Sequence, residues 1–126
     1  MSWDRAKVAE ALEATLEPLS VKVHLRPPEV LNPMCVVVSR PMTVTYATFA
    51  FGIDEATLPL IIVGGVETED AIESIKGEAR TLIAADPTLA GTVASAVCSE
   101  ERNWRNVTGA GGVQLLLVEL VLTIEM

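Results

Sequence analysis

The sequence predicts a single α+β domain over residues 1–126, a mostly antiparallel sheet with one N-terminal helix and one central helix packed on it. Three observations predict it. Apolar residues switch between helical and alternating periods in the order α-β-β-β-β-α-β-β. The 126 residues suffice for one hydrophobic core and leave little room for a second. Half of the residues are apolar, yet the aromatic ones are only Trp3, Tyr46, Phe49, Phe51 and Trp104, so Val, Leu, Ala and Ile must build the core, a composition suited to a β-rich mixed domain.

The elements follow in order. Ser2 is placed to cap a helix reaching Leu16 or Leu19, because Val8, Leu12, Leu16 and Leu19 recur at helical spacing, and Pro18 disturbs its last turn. Val21 to Arg26 alternates strictly between apolar and polar, the pattern of a half-buried strand, and Pro27-Pro28 stops it. Cys35 to Val38 reads as a short buried strand. Thr43 to Phe51 is uncharged and rich in β-branched and aromatic residues. With a turn over Gly52 to Glu55 and a return strand over Thr57 to Val63, it predicts a long antiparallel hairpin in which Pro59 implies an edge or a bulge.

Gly64-Gly65 ends that hairpin, and Thr68-Glu69-Asp70 opens the central helix with a capping hydroxyl and two carboxylates at the positive end of its dipole. Ile72, Ile75, Ala79, Leu82 and Ile83 form its apolar stripe, and Asp86-Pro87 halts it near Ala85. Val93 to Ser99 predicts a strand, Glu100 to Asn106 a polar loop carrying Trp104, and Gly109 to Gly112 a tight turn. The last segment alternates Leu116, Val118, Leu120, Leu122 and Ile124 against Leu117, Glu119, Val121 and Thr123. Twelve extended residues reach about 40 Å. Two readings stay open: a strand that runs into a neighbour's sheet, or a long bent strand within one domain.

Charge and composition narrow the function. Nine basic against seventeen acidic residues give a formal net charge of −8, the wrong sign for binding nucleic acid through counterion release. The mean hydropathy of +0.41 is high for a lone domain of this size and predicts apolar surface covered by other chains. The most apolar run, Val113 to Ile124, is short of the roughly 20 residues of a spanning helix and contains Glu119. Met1-Ser2-Trp3-Asp4-Arg5 lacks the pattern of a secretory leader. Cys35 and Cys98 are far apart in sequence without CxxC spacing, so two reduced core residues are expected.

No residue pattern announces catalysis. His24, the one histidine, falls between Lys22 and Arg26 on a polar strand face and reads as an exposed polar residue; with Cys35 and Cys98 it has neither the ligand count of a zinc site nor the partners of a triad. Gly109-Ala110-Gly111-Gly112 lacks the Walker lysine and precedes a strand, so it reads as a hairpin turn. Glu67, Glu69, Asp70 and Glu73 read as capping and solubilising charges before they read as a cation site, and Asp54 and Glu55 as turn residues. No catalytic residue, cofactor or metal is expected. Two features point to contacts with other chains: Phe49 and Phe51 on one face of an uncharged strand, and Trp104 among Arg102, Asn103, Arg105 and Asn106. Packing within the chain's own core is the competing reading for both.

The series Arg26-Pro27-Pro28-Glu29-Val30-Leu31-Asn32-Pro33 before Cys35 to Val38, the hairpin from Val44-Thr45-Tyr46 through Phe51-Gly52 to Asp54-Glu55-Ala56-Thr57-Leu58-Pro59-Leu60, the acidic start of the central helix, and Ala85-Asp86-Pro87-Thr88-Leu89-Ala90-Gly91-Thr92-Val93 resembles the small tail-terminator proteins of long-tailed phages, particularly those of actinobacterial hosts. The resemblance spans nearly the whole chain and rests on order and spacing; Ile53 after Gly52 departs from the more polar loop of the family. It implies an α+β unit similar to tail-tube subunits and a structural role without catalytic residues. The implied protein is a virion component, assembled in the host cytoplasm, that caps the tail tube as a hexameric ring and stops its polymerisation. It joins the tube to the head-side connector or stopper protein while genomic DNA passes through. On that reading Phe49, Phe51, Trp104, Leu115, Leu117 and Val121 are candidates for subunit or tube contacts, and Glu67, Glu69, Asp70, Glu100 and Glu101 for an acidic channel lining. A head-tail stopper or tail-tube subunit is the nearest alternative, and a small ligand-binding domain or enzyme with its site in the hairpin a more distant one.

Overall fold

The computed structural model describes residues 5–25, 34–38, 43–45, 55–65 and 68–125. Two helices, α1 (Arg5–Thr15) and α2 (Glu69–Ala85), pack on one face of a six-stranded sheet. The strands are β1 (Lys22–His24), β2 (Cys35–Val38), β3 (Thr43–Thr45), β4 (Glu55–Gly65), β5 (Ser95–Thr108) and β6 (Gln114–Glu125). Their spatial order is β1-β2-β4-β6-β5, with β3 also pairing with β4; β1 and β2 are parallel and every other pair is antiparallel. The α+β class read from the sequence is the class of the structure.

The core between helices and sheet follows the two periodicities. Val8, Leu12, Leu16 and Leu19 are buried as their spacing predicts, although α1 ends at Thr15 and the chain passes Pro18 in turns held by bonds such as Leu19 N–H to the Leu16 carbonyl (3.0 Å). Ile72, Ile75, Ala79 and Ile83 of α2 meet Leu60 and Ile62 of β4 and Val118, Leu120, Leu122 and Ile124 of β6. Removing such side chains from water is the main stabilising contribution, about 25 cal/mol per Å² of apolar area. Leu82, expected in the stripe, is only half-buried. Thr68 precedes α2, but its hydroxyl donates to the Gly65 carbonyl (2.7 Å) instead of accepting from the first helical N–H groups, so the expected side-chain cap is replaced by a tie back to β4. His24 is half-buried rather than exposed.

The long last strand stays at home. From Leu115 to Glu125, β6 pairs with β4 on one side, and β5 flanks it along nearly its whole length on the other, so the in-domain reading is the one realised. Its apolar character on both faces reflects two clusters: Val118, Leu120, Leu122 and Ile124 pack under the helices, and Leu115 and Leu117 join Cys35, Val37 and Val63 in a second buried cluster on the other face. Pro59 corrects the edge expectation, since β4 is an internal strand. It opposes Val121 of β6, and on its other side it falls between the stretch paired with β3 (55–57) and the stretch paired with β2 (60–63). A missing N–H is tolerated where a ladder is interrupted.

The largest departure from the sequence reading is the segment 100–106. It is not a polar loop but the middle of β5, and Trp104 lies on a strand. β5 is the edge of the sheet, so one side of its backbone is unpaired and its side chains reach solvent, which removes the apolar signal. Two register shifts then break the alternation by which a strand is recognised. No helix among the described residues is long and apolar enough to cross a membrane.

Candidate functional surface

The two bulges decide what β5 presents. Cys98 opposes Leu122 and Glu100 opposes Val121, so Ser99 is the extra residue of the first bulge, and its hydroxyl donates to the Val121 carbonyl (3.2 Å). Arg102 opposes Glu119 and Arg105 opposes Leu117, which leaves two residues of β5, Asn103 and Trp104, against Val118 alone. Asn103 adopts φ 58°, the left-handed conformation that asparagine tolerates better than most residues. A shift of one residue exchanges the faces of a strand. Between the bulges Glu101 therefore faces α2, while Arg102 faces the other way, toward Glu119.

On the α2 side, Lys76 is buried although charged. Its stem lies in the helix's buried stripe, and its Nζ is 2.6 Å from Glu101 Oε2, 2.7 Å from Glu73 Oε2 and 5.8 Å from the centroid of the Trp104 ring. Burial pulls the Lys76 pKa down, but the hydrogen bonds and charges of Glu101 and Glu73 outweigh it, and the net shift is upward. The Glu101 carboxyl is held below its ordinary value, chiefly by the Lys76 hydrogen bond. The upward shift favours the charged ammonium.

On the opposite face Glu119, the single charge noted in the apolar run, is largely shielded. It accepts from Arg102 Nε (3.3 Å), Asn103 Nδ2 (3.0 Å) and Arg105 Nη1 (3.1 Å). Burial would raise its pKa, and these donors and their charges bring it below the ordinary value.

Three hollows adjoin β5. One of about 220 Å³ is lined by Lys76, Arg80, Cys98, Ser99, Glu100, Glu101 and Leu120. A larger one of about 560 Å³ has Thr81, Ala84, Pro87, Ala96, Val97 and Cys98 among its walls. A third, of about 350 Å³, lies between Glu69 and Glu73 on α2 and Trp104, Arg105 and Asn106 on β5. Burial raises the Cys98 thiol pKa and the charge of Arg80 opposes it, with a net upward shift that disfavours the thiolate. Cys35 is shifted the same way by burial, and both cysteines are free thiols. Among the described residues no group of three or more His, Cys, Asp or Glu is arranged to hold a metal ion.

The residues singled out from sequence divide sharply. Leu115, Leu117 and Val121, candidates for subunit or tube contacts, are buried within the chain's own sheet. All three lie on the face of β6 that points away from the helices, where Leu115 and Leu117 belong to the second buried cluster. Trp104 is 36% exposed, and with Val97 and Val113 it makes up the large hydrophobic side chains left exposed among the described residues. Glu69 and Asp70 are exposed in the first turn of α2, and Glu100 and Glu101 lie on β5, where Glu101 pairs with Lys76 and Glu100 with Arg102 (3.7 Å). Phe49, Phe51 and Glu67 lie outside the described residues. Sequence reading missed two linked sets on opposite faces of the sheet, Lys76 with Glu73 and Glu101, and Glu119 with Arg102, Asn103 and Arg105. The available signal was a lone carboxylate in an apolar strand, which needs donors from a neighbour.

No protein-family model matches the chain, and no curated protein matches it.

Proposed function

We propose that the chain is a structural neck protein of a long-tailed phage, a tail terminator that caps the tail tube as a hexameric ring, stops its polymerisation and offers the joining surface for the head-side connector or stopper. One observation carries the assembly part of this reading: among the described residues, the exposed large hydrophobic side chains, Val97, Trp104 and Val113, all lie on the open-edged strand β5 or in the turn that follows it. Exposed apolar groups concentrated on one edge suit a contact made by assembly, and a head-to-tail contact repeated around a closed ring is the arrangement in which one edge meets a different surface of the next copy. The phage assignment itself is supported by the order of sequence motifs.

A net charge of −8, with Glu69 and Asp70 exposed at the start of α2, fits a channel through which DNA slides without being held, because like charges oppose adhesion to phosphates. A head-tail stopper or a tail-tube subunit of the same virion is the second reading, favoured by the same edge. Depleting the protein in the phage that encodes it separates them by electron microscopy. Overlong, unattached tails beside filled heads are expected for a terminator. Normal-length tails beside leaking heads would move the assignment to a stopper, and absent tails to a tube subunit.

A further inference from the structure

We propose that Glu119 is the latch of a two-register hairpin: by gathering Arg102, Asn103 and Arg105 it holds the extra residue of β5 at position 103, and so selects the face of the sheet on which Trp104 lies. Glu119 occupies the middle of β6 opposite Ile61, on a face whose neighbouring positions are the buried Leu117 and Val121, and its side chain is only 13% exposed. A carboxylate so placed must find donors. All three that it has come from the bulged stretch of β5. Arg105 Nη1 donates in addition to the Asn103 carbonyl (2.9 Å), so one guanidinium fastens both the carboxylate and the backbone of the bulge.

The alternative register follows from the pairing. If the bulge at 103 were ironed out, the ladder that runs from Glu100–Val121 to Arg102–Glu119 would continue without a break. Trp104 would then oppose Leu117, Arg105 would oppose Leu116, and Val107 would oppose Gln114 in place of Leu115. Each of these side chains would change face. Trp104 would leave Lys76 and enter the face that carries Leu117, while Arg105 would turn away from Glu119, which makes the two registers mutually exclusive with respect to the latch. The turn can take up the displaced residue, since Gly111 (φ 71°) and Gly112 (φ 79°) give it conformations open to glycine. The competing register relieves the left-handed backbone of Asn103, so loss of the latch has a defined destination. This inference is independent of the phage reading.

Cross-strand contacts measured by NMR on the full chain test it. In the unmodified protein, Val107–Leu115 contacts are expected. In Glu119→Leu, Val107–Gln114 and Trp104–Leu117 contacts should appear, with the slipped population raised by about tenfold or more, as expected for loss of a coupled charge and hydrogen-bond network. Adding Asn103→Gly to that variant should restore the original contacts, because glycine accepts the left-handed conformation without a side-chain tie. An unchanged Val107–Leu115 register in Glu119→Leu would overturn the proposal. If the leucine variant does not fold, the same spectra on Glu119→Gln decide: slipped contacts support the latch and unchanged contacts overturn it.

Discussion

Replacing Gly64 by alanine tests how closely α2 is seated on the sheet. A Cβ at this position would lie 2.6 Å from Thr68 Oγ1, 2.7 Å from Ile72 Cδ1 and 2.8 Å from Ile72 Cγ1, well inside ordinary van der Waals contact. Neither neighbour has an easy retreat. The Thr68 hydroxyl is tied to the Gly65 carbonyl, and Ile72 is fully buried in the core. Overpacking of this kind costs about 1–3 kcal/mol, and the reduced freedom of the unfolded chain returns about 0.4–1 kcal/mol, so Gly64→Ala should destabilise by about 1–2 kcal/mol. The same substitution at Gly77, inside α2 with nothing within 4 Å of the added carbon, should instead stabilise by about 1 kcal/mol through helix propensity. Urea unfolding of both variants supplies the comparison, and in thermal unfolding the melting temperature of the first should fall by roughly 4–8 °C. A Gly64→Ala protein as stable as the original would show that the first turn of α2 does not press on β4, and the reasoning from contact distance would fail.

Three further outcomes are expected. Lys76→Ala should cost about 2 kcal/mol, between the loss on breaking a buried pair and the small worth of an exposed one, because Glu73 and Glu101 remain about half exposed and can be rehydrated; Lys76→Met, which keeps an apolar stem, should lose about 1 kcal/mol or less in the same urea titration, and equal losses would assign the effect to the charge alone. The carboxyls of Glu101 and Glu119 are held below their ordinary value in the folded chain, so their contribution is present above the unfolded pKa and lost as pH falls through the folded one. Glu119→Gln should therefore flatten the acid limb of stability against pH, whereas Lys76, shifted upward, contributes fully below its ordinary value near 10.5 and loses that contribution only as pH rises beyond it; an acid limb unchanged in Glu119→Gln would contradict the shift. A disulfide reagent at mildly alkaline pH should label half-buried Cys98 well before Cys35, whose reaction should follow global unfolding; simultaneous labelling would argue against the burial of Cys35.

Sequence and structure divide the information along physical lines. Periodicity determined both helices, because a helix that packs on one core must repeat its apolar residues at its own spacing, while β-branched composition and turn residues gave the strand at 35–38 and the β3–β4 pairing, and the run Thr68-Glu69-Asp70 the acidic start of α2. The sequence also singled out Glu119 as the one charge in the apolar run Val113 to Ile124. Tertiary structure decided the rest. Whether β6 reaches a neighbour or stays between β4 and β5 depends on which backbone groups find partners, and hydropathy is blind to that choice. Whether residues 100–106 loop or pair depends on an edge strand that needs no apolar pattern, broken by bulges that reverse its faces at Ser99 and Asn103. The burial of Leu115, Leu117 and Val121, the sinking of Lys76 beside Glu101, and the capture of Glu119 by Arg102, Asn103 and Arg105 all follow from that register. Such contacts join residues 14–25 positions apart, and only the folded ladder brings them within reach.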